Sequence, residues 1–313
     1  MFRVVEPGLQ TTVQDAGRKG RQKFGVPPGG AADMFSFRVA NLLCGNDQLA
    51  PALEMTLIGP VLDVLGNATL ALAGANLSAH LNGKPLAAWR SFEVRKGDVV
   101  SFGKTQGGCR LYLAVAGGLD EIPLVLGSRS TCLRGGFGGI DGRPLRKSDV
   151  LKCKRGGTPH VARAVPDELV ARYTGNLLVN SMLGPQAEYF TEKGLAGFFT
   201  SEYKVLPESD RMGYRLEGPV VESRSHTNFI SDPVPLGAVQ ITPSGMPIVM
   251  MADRPTTGGY PKIATVATAD TYCLAQARPG DLVRFAPVSA GRAVDSLKRF
   301  ERRIARIAAL FTT

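Results

Sequence analysis

Three stretches of this 313-residue chain concentrate side chains that could hold or transform a small polar molecule. The first is Thr11-Thr-Val-Gln-Asp-Ala-Gly-Arg-Lys-Gly, followed by Gly25-Val-Pro-Pro-Gly-Gly-Ala-Ala-Asp. Glycine and proline at this density fix a loop path, so the pattern predicts Gln14, Asp15, Arg18 and Asp33 on an exposed yet defined surface. The second, Gly127-Ser-Arg-Ser-Thr-Cys-Leu-Arg-Gly-Gly-Phe-Gly-Gly, offers Ser128, Arg129 and Ser130. Hydroxyls, guanidinium groups and adaptable backbone amides together suit a carboxylate or another anion. The third begins at Ser209-Asp-Arg-Met-Gly-Tyr-Arg-Leu-Glu-Gly and continues through Gly237-Ala-Val-Gln to Asp253-Arg-Pro-Thr-Thr-Gly-Gly-Tyr-Pro. It supplies Arg211, Arg215, Gln240, Asp253, Thr256, Thr257 and Tyr260. Turn chemistry accounts for any one of these residues alone. Three such clusters, each with more arginine than turns require, point to a site.

Other chemistries find little material. The five cysteines and three histidines are scattered and contain no Cys-x-x-Cys pair, so the expectation is no metal and buried thiols in a reducing compartment. Gly103-Lys-Thr resembles the end of a phosphate loop, but Asp98 stands where that loop needs its first glycine. In Gly136-Phe-Gly-Gly-Ile-Asp, Asp141 occupies the last glycine of a dinucleotide fingerprint, and no Gly-x-Ser-x-Gly elbow occurs. Of the net charge of +10, a surplus of four comes from Arg292–Arg306 alone, with six basic and two acidic side chains, the remaining six are spread over the rest of the chain, and aromatic residues are not interleaved with basic ones. That distribution argues against nucleic acid and suits small anions or an acidic partner. No apolar run approaches the roughly 18 residues of a membrane span, and the N-terminus lacks a signal-peptide core. The expected location is cytoplasmic, without membrane association.

The elements that must position the clusters are mostly strands. Thr69–Ala73, Ser91–Arg95, Val99–Phe102, Arg110–Val115, Ala238–Ile241 and Leu282–Phe285 are β-like, and several are bounded by Asn-Gly, Asp-Gly or Gly-Asp. Glycine, 37 residues, punctuates turns and forms no low-complexity tract. Lys96-Gly-Asp-Val-Val-Ser-Phe echoes Pro279-Gly-Asp-Leu-Val-Arg-Phe, with a poorer copy at Lys147-Ser-Asp-Val-Leu. Asn82-Gly-Lys-Pro-Leu likewise echoes Asp141-Gly-Arg-Pro-Leu, which suggests a duplicated β unit. Helices are expected over 31–44, stopped by Gly45-Asn46, from Gln186, and over 291–310. The last places Val294, Leu297, Ile304, Ala308 and Phe311 in an apolar stripe opposite Lys298, Arg299, Arg302, Arg303 and Arg306. The Gly-rich stretch 152–159 reads as a linker, giving an N-terminal β domain over 1–155, a C-terminal β domain over 156–288 and a basic amphipathic tail over 289–313.

Eight segments resemble one family, that of the 5-oxoprolinase C subunit, also described as KipA-like, allophanate hydrolase subunit 2-like or biotin-dependent carboxyltransferase-type. They are Pro7–Arg18, Gly25–Asp33, Ala40-Asn-Leu-Leu-Cys-Gly-Asn, Leu53-Glu-Met-Thr-Leu-Ile-Gly-Pro, Tyr112-Leu-Ala-Val-Ala-Gly-Gly, Leu126-Gly-Ser-Arg-Ser-Thr, Asp210-Arg-Met-Gly-Tyr-Arg-Leu and Ala252–Pro261, in family order. The resemblance implies a mainly β fold of tandem cyclophilin-like β-barrel domains. It implies ATP-dependent opening of 5-oxo-L-proline to L-glutamate with two partners, a KipI-like B subunit plus a LamB/YcsF-like A subunit. ATP would bind in the complex, on this chain or on a partner. On this reading Arg18, Arg129, Arg211 or Arg215 binds anions, and Asp15, Asp33 or Asp253 handles protons or contacts a partner, in a cleft shared by loops of both halves. Two alternatives accompany it. One is carboxyl transfer as in urea carboxylase, with biotin carried on another protein because this chain has no Met-Lys-Met segment. The other is a KipA-like regulatory module that binds a KipI-like kinase inhibitor.

Overall fold

The computed structural model describes residues 1–119, 121–153, 162–224 and 230–311; the expected linker therefore lies, from residue 154 onward, outside the described residues. The chain divides into two compact units. Unit 1 comprises Met1–Lys19, Gly29–Tyr173 and Arg302–Thr313, and unit 2 comprises Gly20–Pro28 and Thr174–Glu301.

Unit 1 is built from β1 (Phe2–Glu6), β2 (Gln10–Gln14), α1 (Met34–Cys44), β3 (Ala52–Thr56), β4 (Val61–Val64), β5 (Ala68–Asn76), β6 (His80–Leu81), β7 (Lys84–Pro85), β8 (Arg90–Val94), β9 (Val99–Ser101), β10 (Gly107–Val115) and β11 (Val150–Leu151). They form two antiparallel sheets, β2-β3-β10-β5-β8 and β11-β1-β4-β9-β6-β7. The long central strands β5 and β10 are buried over most of their length, which is why Leu70-Ala-Leu-Ala and Leu111-Tyr-Leu-Ala-Val read as continuous apolar runs. Val4, Leu53, Met55, Leu72 and Leu113 join one core cluster, each at 1% exposure or less. Burial of such a side chain contributes about 1.5–3 kcal/mol. Helix α1 packs on β5 and β10 through Phe35, Phe37, Val39 and Leu43. It starts at the Asp33 cap and stops at Gly45, whose φ of 72° lets its N–H return to the last turn.

The echo heard in the sequence is one turn used three times. In Arg95–Asp98, Arg278–Asp281 and Arg146–Asp149, the aspartate Oδ2 accepts the arginine N–H at 2.7, 2.8 and 2.7 Å. The third residue of each turn donates its N–H to a valine on a neighbouring strand, and that valine's N–H returns to the aspartate carbonyl. The pairs are Gly97/Asp98 with Val64, Gly280/Asp281 with Val205, and Ser148/Asp149 with Val4. Each turn then feeds a strand. The third residue sits at φ +96° and +93° where it is glycine, but the poorer copy puts Ser148 there at φ +73°.

Unit 2 is a closed barrel of β12 (Asn176–Leu183), β13 (Tyr203–Val205), β14 (Gly213–Glu217), β16 (Ala238–Ile241), β17 (Pro247–Met250), β19 (Lys262–Val266) and β20 (Leu282–Pro287), with a separate ribbon of β15 (Asp232–Pro233) and β18 (Thr257–Gly258). The barrel runs in the order β12-β19-β16-β17-β14-β13-β20 and closes where β12 meets β20 in parallel. Helix α2 (Glu192–Thr200) drives Phe198 against Phe285, their rings stacked at 4.6 Å, and α3 (Thr271–Leu274) follows β19. A mainly β fold with few helices and a C-terminal helix is thus borne out. That helix, α4 (Ala290–Ala309), is amphipathic, but its stripe differs from the expected one. Ile304 and Ile307 are fully buried, whereas Val294 and Leu297 are exposed. Arg303, assigned to the polar face, lays its guanidinium 4.3 Å above Phe35 and donates to Leu169 O. Guanidinium can cover an aromatic face without losing its hydrogen bonds, so a basic residue is not a sure marker of the wet side.

Ser148 is expected to be the weak copy of the shared turn, since a non-glycine residue in the left-handed region costs roughly 1–2 kcal/mol. Replacing it by glycine, Ser148→Gly, should raise stability by about 0.5–1 kcal/mol after glycine's entropic cost, read as a higher midpoint in urea unfolding; an unchanged or lower midpoint counts against the strain.

Candidate functional site

In unit 1 the first two clusters meet at Asp15. Strand β2 carries its ladder as far as Gln14, and the chain then turns so that Asp15 faces the segment 128–130. Asp15 Oδ1 accepts from Ser128 Oγ and Ser130 Oγ, both at 2.6 Å, and from Gly17 N–H at 2.8 Å. Oδ2 accepts the Arg129 N–H at 2.6 Å. Burial alone would raise this carboxyl; the hydrogen bonds from Ser128, Ser130, Arg129 and Gly17 outweigh it and hold the group below its ordinary value. Asp15 is therefore an ionised organiser of the loop, with its acceptors already in use, and a poor general base.

The arginines here grip backbone. Arg18 Nε donates to Val125 O at 3.1 Å, its Nη2 donates to Ser130 O, and its guanidinium stacks 4.8 Å from Phe137. Arg129 Nε donates to Ile122 O at 2.8 Å. A side chain at Gly138 would collide with Ser130 O and with Arg18, which explains a glycine at φ +72° there. A cleft of about 660 Å³ opens beside these groups, lined by Ile122, Val125, Phe137, Gly138, Val150 and Lys152 among others. Two of its lining residues, Val125 and Ile122, are the ones whose carbonyls Arg18 and Arg129 hold.

The expectation of an exposed surface is corrected at all four positions of the first cluster. Gln14, Arg18 and Asp33 are 0–1% exposed and Asp15 is 8% exposed. Glycine and proline fix the path of this segment, but its polar groups bond inward. Gln14 Nε2 donates to Thr12 Oγ1 and Thr131 O, while its buried Oε1 has no partner among the described residues. Asp33 stands apart from Asp15 in function: it is the N-cap of α1, accepting from Ser36 N–H and Oγ and from Tyr173 OH. Its own N–H is held by Tyr112 OH, which donates to Glu54 Oε2 at 2.7 Å. Burial, with the charges of Glu54 and Asp33, pushes Tyr112 well above its ordinary value, so it stays a neutral donor.

In unit 2 the third cluster supplies one buried ion pair and, separately, polar groups next to the ribbon. Arg211 and Asp253 form a bidentate pair at 2.8 and 2.9 Å with 3% and 10% of their side chains exposed. The adjoining Arg254, 8% exposed, donates to Val234 O. Burial lowers Arg254 somewhat and Asp253 partly offsets it. Gln240, 2% exposed, donates to Tyr260 O at 3.0 Å, and its amide lies against Gly258. Thr257 and Tyr260 are exposed on the ribbon side, Thr256 is half-buried, and Arg215 points outward from β14. Sequence reasoning missed Lys262, Asp232 and Gln186. Lys262 Nζ pairs with Asp232 Oδ2 at 2.9 Å, and Gln186 Nε2 donates to the same oxygen at 3.0 Å. The hydrogen bond from Lys262 holds Asp232 below its ordinary value. The available signal was a lysine opening the apolar strand Lys262-Ile-Ala-Thr-Val.

The chain matches the family "Carboxyltransferase domain, subdomain A and B" over residues 24–287. It is 36% identical to the 5-oxoprolinase C subunit of Escherichia coli K12, covering 98% of both chains. It is 36% identical to urea amidolyase of Lachancea kluyveri over 92% of this chain, but that match spans only 17% of the relative. The crystal structure of Kluyveromyces lactis urea carboxylase superposes with a TM-score of 0.92 at 34% identity, covering 98% of this chain and 29% of that one.

Two outcomes follow from the buried charges. Asp253→Ala should cost about 3–5 kcal/mol by leaving Arg211 buried without its carboxylate, and Arg211→Met added to it should recover much of the loss; additive losses in unfolding experiments would contradict the pairing. Asp15→Asn should cost about 2–3 kcal/mol at neutral pH. Because the folded carboxyl is depressed, this contribution is fully present above its unfolded value near 4 and is lost as pH falls through the folded one. Wild type and variant should therefore converge in stability toward acid, and a pH-independent gap would refute the assignment.

Proposed function

Because this chain belongs to the family of carboxyltransferase domains with subdomains A and B, we propose that it acts as the C subunit of an ATP-dependent 5-oxoprolinase. The observation that carries the reading is the end-to-end match: 98% of this chain aligns with 98% of the Escherichia coli C subunit, whereas the urea enzyme of Lachancea kluyveri exceeds the match several-fold in length. The reaction opens 5-oxo-L-proline to L-glutamate in a complex with a KipI-like B subunit plus a LamB/YcsF-like A subunit.

The chemistry asks for what these loops hold. A lactam carbonyl is a poor electrophile because its nitrogen donates into it. Phosphorylation of the amide oxygen by ATP turns that oxygen into part of a good leaving group for attack by water. Developing negative charge must then be met by fixed cations and amide donors. In unit 1, Asp15 fixes the loop that carries Arg129, and Arg18 fixes the wall of the neighbouring cleft. In unit 2, Arg211, Gln240 and Lys262 supply polar groups at fixed positions. Asp15 and Asp33 serve in this scheme as organisers, and the proton acceptor is a carboxylate with solvent access or a group on a partner protein.

Carboxyl transfer is the second reading, favoured by the family itself and by the likeness to the Kluyveromyces lactis urea carboxylase. Biotin would come on a separate carrier. The buried cations of unit 2 that could meet a carboxylated ureido group, Arg211 and Lys262, are each paired with a carboxylate of the chain, so an incoming anion would have to displace Asp253 or Asp232 to reach them.

Reconstitution separates the readings. With ATP and all three components, release of glutamate from 5-oxoproline is expected, and omission of this chain should reduce it on the order of 100-fold or more. Carboxylation of urea with a biotinylated carrier, in place of glutamate release, would transfer the assignment to the second reading.

A further inference from the structure

Lys262 opens β19 with 1% of the residue exposed. An ammonium withdrawn from water costs several kcal/mol unless an anion and hydrogen bonds replace its hydration. Here the anion is Asp232, reached at 2.9 Å, and Gln186 Nε2 donates to the same Oδ2 at 3.0 Å. The two donors are tied together, because Gln186 Oε1 accepts the Lys262 N–H at 3.1 Å. They form a fixed two-donor clamp around one carboxylate oxygen. The carboxylate in it is far less buried than the lysine: 41% of the Asp232 side chain is exposed, against 2% for Lys262.

A third group lies alongside. Gln240 is the cross-strand partner of Lys262 in the β16–β19 ladder, so the two side chains share a face. Its Nε2 is committed to Tyr260 O at 3.0 Å, which leaves Oε1 as the acceptor beside the clamp. Gly258, the partner of Asp232 in the β15–β18 ribbon, covers this amide closely; a Cβ there would stand 2.7 Å from Gln240 Nε2.

We propose that Lys262 Nζ and Gln186 Nε2 form the carboxylate subsite for a small acid carrying an amide N–H next to its carboxylate-bearing carbon, that Asp232 fills this subsite when no ligand is bound, and that Gln240 Oε1 accepts the ligand N–H. The ligand's identity rests on the oxoprolinase reading: 5-oxoproline has its carboxylate on the carbon adjacent to the lactam nitrogen. Binding exchanges one carboxylate for another. Asp232 turns into solvent as the ligand enters, and the buried charge stays balanced. A neutral lactam would displace Asp232 without replacing its charge, so the clamp selects acids.

The test titrates the full-length chain by calorimetry with 5-oxoproline and with 2-pyrrolidinone, the same ring lacking the carboxylate. Wild type should prefer 5-oxoproline by at least about tenfold, roughly 1.4 kcal/mol. Lys262→Met should abolish that preference and Lys262→Arg should restore part of it. Asp232→Asn, which removes the internal competitor, should bind 5-oxoproline more tightly. If Lys262→Met does not fold, Gln240→Ala, which leaves the ion pair in place, decides: it should weaken both probes about equally and keep the preference. No binding, equal affinity of wild type for the two probes, a preference surviving Lys262→Met, weaker binding by Asp232→Asn, or undiminished affinities in Gln240→Ala would each overturn the proposal. Failure of the reconstituted complex to hydrolyse 5-oxoproline would instead sink the oxoprolinase reading, while this titration still decides the clamp.

Discussion

Taking the Asp15 carboxylate out of water obliges the chain to bring it donors, and the segment 128–130 answers that demand. Two hydroxyls and one backbone N–H arrive from more than a hundred residues away, with a fourth donor from Gly17. Fixing them fixes Arg129, whose guanidinium then reaches Ile122, and Ser130, whose carbonyl receives Arg18. Without this anion the loop would have three polar groups turned inward and nothing to bind. The glycine-rich segment follows from the same constraint, since only a residue without Cβ fits at Gly138 between Ser130 O and Arg18.

Unit 2 solves the same problem with full ion pairs. Arg211 with Asp253, and Lys262 with Asp232, neutralise charge at the barrel and its ribbon. Such pairs contribute little net stability compared with apolar packing, because desolvation consumes most of the Coulombic gain. The barrel's stability comes from groups such as Phe198, Tyr203 and Phe285, whose rings pack together. A buried pair is thus better explained by what it holds in place than by what it adds to folding.

Much of this architecture was legible in the sequence because turns carry strong local signals. Asn82-Gly83 and Asp141-Gly142 both take the positive φ values that tight hairpins require. The Gly-Asp echoes proved to be one hydrogen-bonded turn, down to the valine that closes it. The meeting of Asp15 with Ser128 and Ser130 was approachable from composition, since both segments are dense in polar residues and glycine. What escaped was burial. A loop rich in Gly, Pro and charge suggests a wet surface, yet Arg18 is buried, as backbone carbonyls and the Phe137 ring can replace water around a guanidinium. Asp33 carried an ambiguous signal, because an acid just before an apolar helix is both a cap and a candidate acid, and the local hydrogen bonds made it a cap. Lys262 gave only the weak signal of a lysine opening an apolar strand, and Asp232 and Gln186 gave none. They lie in three separate segments, and only closure of the barrel and pairing of the ribbon bring them together.

The carboxylates of Asp15 and Asp232 also differ in a way that bears on where chemistry can occur. Asp15 receives donors on both oxygens from the chain itself, so a ligand could reach it only by dismantling the loop. Its role is to be permanent. Asp232 is held through one oxygen, stands at the solvent boundary, and sits on a two-residue ribbon instead of in the barrel wall. Moving it requires breaking two hydrogen bonds that an incoming carboxylate can remake. Exchange of equivalent anions costs little, whereas loss of an anion from a buried cation costs several kcal/mol. A site that must bind and release small acids is therefore better built on the second arrangement, and a permanent anchor for a loop on the first.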